Sequence, residues 1–383
     1  MSEHKPRSWY PETLAIHAGR RPDPTTGAVM APLHLSTTYL RDGAAQPVAG
    51  YSYSRDGHPN SHTVEATLAA LDAGADACVF SSGVAAAQAV FETLPRGSRV
   101  VATADSYYGT RRQLDDLAAR GWLEPEYVDT SDTDAVARAL ERPTALVWIE
   151  TPSNPMLRIA DLAAIAKLTA PRGTRLACDG TLATPIGQQP LALGADLVVH
   201  SATKYLGGHS DLLGGVVVSR VADDAAAAIR ERRSVAGAML APFDCWLLAR
   251  SLATLPWRVR AQCDSALRIA TALEGHPALR AVIYPGLAAH PGHARACVQM
   301  RTFGAMISLR VAAGRTAALA MTGHLELFAT ATSLGGVESL VEHRASIEGP
   351  NTATPDDLLR LSVGLEHPDD LLADLHAALE AVA

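Results

Sequence analysis

From residue 61 to about residue 220 the chain alternates helical stretches rich in small residues with short apolar runs, and few folds tolerate that rhythm. Helices crossing between parallel strands produce it, because strands covered on both faces need near-continuous apolar sequence. The spacing predicts strands over Ala77–Ser81, Arg99–Thr103, Ala145–Glu150, Arg175–Asp179, Leu197–His200 and Gly215–Ser219. Helices are expected over Thr63–Ala73, Val84–Leu94, Asp132–Leu140 and Ile159–Leu168. Residues 1–60 contain Pro, Gly and Tyr without a clear period and read as an extended N-terminal arm packed on a neighbouring subunit. Beyond about residue 235, helical stretches at Phe243–Leu255 and Ala261–Leu273 lead into a smaller mixed segment with strands at Thr302–Arg310 and Leu358–Val363. The expected class is therefore α/β, with a mainly parallel central sheet flanked by helices. Its expected parts are an arm (1–60), a large α/β domain (61–235) and a C-terminal α+β domain with a connecting helix (236–383).

Open parallel sheets collect ligands at the carboxyl ends of their strands. Four polar groups fall there: the Ser81-Ser82-Gly83 turn, Asp105 to Tyr108, Asn154 and Asp179. A fifth feature follows the predicted strand Leu197–His200. Among 33 basic residues only three are lysines, Lys5, Lys167 and Lys204, and the last lies in His200-Ser-Ala-Thr-Lys204-Tyr-Leu-Gly-Gly. Arginine has taken over the solubilising role, which leaves Lys204 in need of its own explanation. A lysine amine loses its proton when desolvated and can trap an aldehyde, whereas a guanidinium stays charged and is not nucleophilic. Ser201 and Thr203 beside it could hydrogen-bond a phosphate. Pyridoxal phosphate (PLP) needs both an aldehyde-trapping amine and a phosphate cup; the alternative is a surface lysine in a glycine-rich loop.

The other candidates fit the same chemistry, each with an ordinary alternative. Asp179 could pair with a protonated pyridine nitrogen, or cap a turn. Ser82-Gly83-Val84 opens a helix, where free N–H groups and the helix dipole favour an anion; simple N-capping is the alternative. Tyr107 could stack on a pyridine ring, or pack in the core. Arg360 is a single inward charge on an apolar strand, and a buried arginine needs an anion, either a substrate carboxylate gripped bidentately or a structural salt bridge.

Composition removes other classes. A net charge of −7 without blocks of like charge argues against a nucleic-acid surface. The apolar stretches are too short for a membrane span, and Met-Ser-Glu-His-Lys-Pro-Arg lacks the apolar core of a secretory signal, so a cytoplasmic location is expected. Five scattered cysteines without a Cys-x-x-Cys pair read as thiols, mostly buried, and the histidines form no metal-ligand motif.

Taken together, these segments resemble the Cys/Met-metabolism family of PLP enzymes, which includes cystathionine γ-synthase, the cystathionine lyases, methionine γ-lyase and the homoserine-derivative sulfhydrylases. The matching segments are Thr13-Leu-Ala-Ile-His-Ala-Gly19, Thr26-Gly-Ala-Val-Met-Ala-Pro32, Tyr51-Ser-Tyr-Ser-Arg55, Ser82-Gly83, Glu150-Thr-Pro-Ser-Asn-Pro155, the Lys204 block, Ser333-Leu-Gly-Gly-Val-Glu-Ser339 and Arg360-Leu-Ser-Val-Gly-Leu-Glu366. The resemblance implies a fold-type I PLP enzyme acting on a small amino acid, with active sites shared between the subunits of a dimer and dimers paired into a homotetramer. Lys204 would match the Schiff-base lysine and proton shuttle, Asp179 the pyridine-nitrogen partner, and Tyr107 the ring-stacking tyrosine that can act as a base. Ser82, Gly83, Val84, Ser201 and Thr203 would match the phosphate cup. Tyr53 and Arg55 would match phosphate ligands donated to a neighbouring subunit, and Asn154 would sit near the cofactor's phenolic oxygen. Arg360, Ser333 and Thr332 would face the substrate, the first two at its carboxylate.

The chain also departs from the family pattern. Gly180 stands where Asn is common, and His58-Pro59-Asn60 replaces Asn-Pro-Thr. Thr332 stands where γ-synthases and γ-lyases often carry glutamate and β-lyases tyrosine, and Glu342-His-Arg-Ala-Ser-Ile-Glu-Gly-Pro350 replaces a His-Pro-Ala-x-Met-Thr-His type segment. The expected reaction is γ- or β-elimination or replacement on a sulfur-bearing or O-acylated L-amino acid, leaning towards the γ-lyase and γ-synthase type. A sulfhydrylase or other biosynthetic γ-replacement enzyme is the alternative within the family, and a cofactor-free structural or regulatory homologue the alternative outside it.

Overall fold

A computed structural model describes residues 9–349 and 352–382. Seven strands form the large sheet: β1 (Asp76–Phe80), β2 (Ser98–Thr103), β3 (Leu123–Val128), β4 (Leu146–Glu150), β5 (Arg175–Asp179), β6 (Leu197–Ser201) and β7 (Gly215–Ser219). Their order is β1-β7-β6-β5-β4-β2-β3, parallel from β6 to β3, with β7 antiparallel to both β6 and β1. Alternate side chains of the central strands enter two different cores, as a strand's period of two requires. Val147, Ile149 and Cys178 join one apolar cluster, while Leu146, Trp148 and Ala177 join the other. Trp148 is fully buried with its ring centroid 4.8 Å from that of Phe91, so both faces of the sheet are covered.

A second sheet contains β8 (Leu279–Ile283), β9 (Met306–Val311), β10 (Ala329–Thr330), β11 (Leu340–His343) and β12 (Leu358–Ser362), in the order β10-β11-β12-β9-β8. Only the β10–β11 pair is parallel. The 19-residue helix Leu255–Leu273 packs on β8 and β9 of this sheet and buries Leu255, Val259, Cys263, Ala266, Ile269 and Leu273. The expected α/β architecture with a smaller C-terminal α+β part is the one observed. Among the described residues no helix is long and apolar enough to cross a membrane.

Several elements differ from the expectation. The strand Leu123–Val128 was not expected, because Leu-Glu-Pro-Glu-Tyr-Val carries two acids and Pro125; it lies at the sheet edge, where proline and charge are tolerated. The helix expected from Ile159 starts at Leu162, where Asp161 accepts a hydrogen bond from the Ala164 N–H at 2.9 Å. The helix Asp224–Ala236 was also missed, although Asp223 caps its start and Gly237, at φ +67°, ends it. Among its described residues the arm contains one helix, Pro11–His17, followed by irregular chain as far as Pro59. Residues 1–8, with Lys5, and Pro350 lie outside the described residues.

Two of the departures from the family pattern hold this arm. Asn60 accepts from the His34 N–H and donates to the Pro32 carbonyl, both at 2.9 Å. His58 caps the helix Pro59–Leu71 through Nδ1, which accepts from the Ser61 N–H at 3.2 Å, and Nε2 reaches the Leu240 carbonyl at 3.1 Å.

Candidate active site

The carboxyl ends of β4, β5 and β6 converge on one cleft closed from the other side by β12 and the segment before β11. Its lining includes Ser82, Gly83, Val84, Tyr107, Asn154, Asp179, Ser201, Thr203, Lys204, Thr332, Ser333 and Arg360, so twelve of the predicted residues come together. Tyr53 and Arg55 do not line it. Both are exposed, with the Arg55 guanidinium 5.4 Å from the Tyr53 ring centroid.

Lys204 sits in a turn immediately after β6. The Gly208 N–H closes the turn on the Lys204 carbonyl at 2.7 Å, and Gly208 takes φ +69°. A Cβ on Gly208 would lie 1.9 Å from Arg258 Nη1, and that buried arginine donates to the Tyr205 carbonyl at 2.9 Å, so only glycine fits. The Lys204 amine donates to Ser333 Oγ at 3.0 Å. Burial, aided by the Arg360 charge, lowers its pKa to about 8. More of the amine is therefore unprotonated near neutral pH than in an exposed lysine. Thr203 braces the same turn: its hydroxyl accepts from the Gly214 N–H at 3.0 Å and lies 3.2 Å from the Gly214 carbonyl.

Asp179 ends β5, and its carboxylate accepts from the Thr181 N–H at 3.0 Å. Desolvation raises its pKa against the Thr181 hydrogen bonds and the charge of nearby His200. His200, on β6, meets Asp72 at 3.0 Å, with both side chains almost wholly buried. Burial would lower the imidazole pKa, but Asp72 outweighs burial and raises it. The third departure has its explanation here, since a Cβ on Gly180 would come 2.9 Å from His200 Cε1. The imidazole occupies the space that a larger residue would need.

The helix Gly83–Glu92 starts where β1 ends, with Ser82 Oγ accepting from the Ala85 N–H at 3.1 Å. The first N–H groups of a helix have no partner within it, which suits an anion. A Cβ on Gly83 would press within 2.8 Å of Ser201 Cβ, so glycine lets this turn and Ser201 share one rim of the cleft. Tyr107 is fixed by its own N–H, which donates to Glu150 Oε2 at 2.7 Å, and by Gly109, where a Cβ would strike the Tyr107 ring at 2.4 Å. Burial, with Tyr108 beside it, raises the Tyr107 pKa to about 12, so the phenol is protonated in this environment.

Sequence reasoning missed Glu150, Glu342 and Arg344. Glu150 closes β4 and lines the cleft; burial, reinforced by Asp179, holds its carboxyl well above the usual range. Glu342 lies directly opposite Arg360 in the β11–β12 ladder, so the two side chains share a face. The sequence left Arg360 between a substrate carboxylate and a structural salt bridge, and the structure supplies an internal partner: Nη2 lies 2.8 Å from Glu342 Oε2. Arg360 also donates to Asn154 Oδ1 at 3.2 Å and to the Ser333 carbonyl at 2.8 Å, while its buried Nε has no partner among the described residues. Burial lowers the Arg360 pKa to about 10, opposed by Glu342. Arg344, also nearly fully buried, donates to Glu342 Oε2 at 2.7 Å and to Glu348 Oε1 at 2.8 Å, and it too lines the cleft. Burial would raise the Glu342 pKa, but Arg360 and Arg344 overcome it and hold it low, with nearby Thr332 adding to their effect. The one sequence signal for this pair was the unusual segment starting at Glu342.

Comparison with known proteins places this site in context. The family described as Cys/Met metabolism PLP-dependent enzyme matches residues 12–380. The cystathionine gamma-synthase of Mycobacterium tuberculosis is 46% identical over 377 residues, covering 96% of each chain. The cystathionine beta-lyase of Coxiella burnetii is 41% identical over 390 residues, covering 99% of this chain and all of that protein. Among solved structures, metB from Corynebacterium glutamicum superposes with a TM-score of 0.96 at 40% identity, covering 99% of this chain and 100% of that one.

Proposed function

This chain belongs to the Cys/Met-metabolism family of PLP-dependent enzymes, and from that premise we propose that it breaks and remakes bonds at the γ-carbon of a sulfur-bearing or O-acylated L-amino acid. The observation that carries the reading is the buried Lys204 amine, lowered to about 8 and held at 3.0 Å by Ser333 in a cleft that Asp179 and Arg360 also line.

The residues present fit the cofactor. Asp179 is a desolvated carboxylate whose charge a protonated ring nitrogen would stabilise. The rim of Ser82, Gly83, Val84 and Ser201 offers N–H and hydroxyl donors for a phosphate, with Thr203 holding the turn behind them. Tyr107 would stack on the ring and Asn154 would serve its phenolic oxygen. When bound, pyridoxal phosphate supplies an electron-withdrawing ring that stores the electron pair left as an amino acid loses its α-proton.

Lys204 would first hold the cofactor and then, as a free amine, carry protons between the α- and β-carbons of the substrate. Arg360 would grip the substrate carboxylate with its vacant Nε, steadied by Asn154 and the Ser333 carbonyl. Tyr107, protonated, is suited to donate rather than accept a proton. Tyr53 and Arg55 would complete the phosphate site of a neighbouring subunit, in dimers paired into a homotetramer; their exposure and the exposed arm residues Val29, Leu35, Leu40 and Val48 support that reading. Thr332, in place of an acidic residue, favours a second reading in which a small uncharged thiol replaces the γ-substituent, as in a sulfhydrylase.

Two experiments test these assignments. Uptake of PLP by the cofactor-free chain, followed by its visible absorption, needs the unprotonated amine. Its rate should rise roughly tenfold per pH unit below about pH 8 and level off above it. A profile still rising steeply at about pH 10 would mean that Lys204 is not desolvated. Arg360→Ala should weaken substrate binding by about 2–5 kcal/mol, seen mainly as a raised KM. An unchanged KM would make the arginine purely structural.

A further inference from the structure

We propose that Arg344 is a positioning residue that keeps Arg360 available to a carboxylate ligand, by sharing the one Glu342 oxygen that Arg360 would otherwise hold alone. The inference rests on the reading of Arg360 as the substrate's carboxylate site. Glu342 Oε2 receives Arg344 Nη1 at 2.7 Å and Arg360 Nη2 at 2.8 Å, while Glu342 Oε1 is buried and has no partner among the described residues. Arg360 Nε is likewise buried and without a partner among the described residues. A carboxylate facing one guanidinium prefers to use both oxygens on two of its N–H groups. Here a single carboxylate oxygen serves both cations and the other serves neither, so neither pairing is bidentate and Arg360 keeps an N–H for an incoming ligand.

Arg344 is fixed for this task from three sides. Its Nη2 pairs with Glu348, its guanidinium lies 5.6 Å from the Tyr108 ring centroid, and Glu348 is itself held by the hydroxyls of Thr352 and Thr354. Glu342, Arg344 and Glu348 all lie in the segment where this chain departs from the family pattern. Removing Arg344 would leave Glu342 with a single cation beside it. The carboxylate could then close on Arg360 through both oxygens, and a ligand carboxylate would have to displace it.

The test uses the full chain loaded with PLP and titrated calorimetrically with 4-(methylsulfanyl)butanoate, which carries a substrate-like carboxylate but no amine and so does not react. Arg344→Gln should weaken its binding by roughly 10- to 100-fold, the scale of charge-pair effects at this range. Glu342→Gln alone should bind at least as tightly as the unaltered chain. The double variant Glu342→Gln/Arg344→Gln should return to within about threefold of the unaltered chain, a coupling that independent structural losses do not produce. Should the double variant bind no better than Arg344→Gln, or Glu342→Gln alone bind more weakly, the inference is overturned. The Glu342→Gln arm stands even if variants of Arg344 fold poorly. Failure of the underlying reading is distinguishable, because binding would then survive Arg360→Gln.

Discussion

Replacement of Lys204 by alanine is expected to lower turnover by roughly 10⁴-fold, because one amine serves both as the cofactor's covalent anchor and as the proton carrier. Nothing else among the described residues offers a lysine amine to the cleft: the other described lysine, Lys167, is exposed on the helix Leu162–Thr169. Lys204→Arg should fail to the same extent, since it restores the charge beside Ser333 but not a nucleophile. The measurement is kcat for each variant, with cofactor retention after dialysis as the companion readout. Near-normal turnover by either variant would remove Lys204 from the chemistry.

Loss of Glu65, outside the cleft, should be strongly destabilising. Its Oε1 accepts from Arg233 Nη1 at 2.7 Å and from the Val79 N–H at 3.1 Å, and its Oε2 accepts from Arg230 Nη1 at 3.0 Å. This carboxylate joins the helix Pro59–Leu71 to β1 and to the helix Asp224–Ala236. Arg233 is 2% exposed and also donates to the Asp56 carbonyl at 2.9 Å, so the group ties the end of the arm to the sheet. Glu65→Ala would strand a buried guanidinium and a buried N–H, at a cost of about 3–5 kcal/mol. Glu65→Gln keeps an acceptor for Val79 and should lose less. Denaturant midpoints of the two variants check the order, and equal stability of Glu65→Ala and the unaltered chain would mean that solvent reaches Arg233.

Much of this molecule is written locally in the chain. The strands ending at Glu150, Asp179 and Ser201 are apolar runs covered on both faces, and that burial leaves a continuous hydrophobic signature. Lys204 stands out because lysine is scarce, and Asp179 and Asn154 because polar groups at strand ends are conspicuous. The edge strand Leu123–Val128 was hidden, since an edge strand need not be apolar. The Glu342, Arg344 and Arg360 cluster was hidden for a different reason. Arg360 alone called for an anion without saying which, and Glu342 became visible as that partner only through the antiparallel pairing of β11 with β12. Long-range pairing leaves no local pattern. Gly180 shows the same limit, because its explanation is the His200 ring from the neighbouring strand.

The most direct test of the central claim is to supply the PLP-loaded protein with L-cystathionine and, separately, with an O-acyl-L-homoserine, and to identify the 2-oxo acid released by mass spectrometry. Reaction at the γ-carbon predicts 2-oxobutyrate from at least one of them. Pyruvate from L-cystathionine, with no 2-oxobutyrate from either substrate, would contradict it.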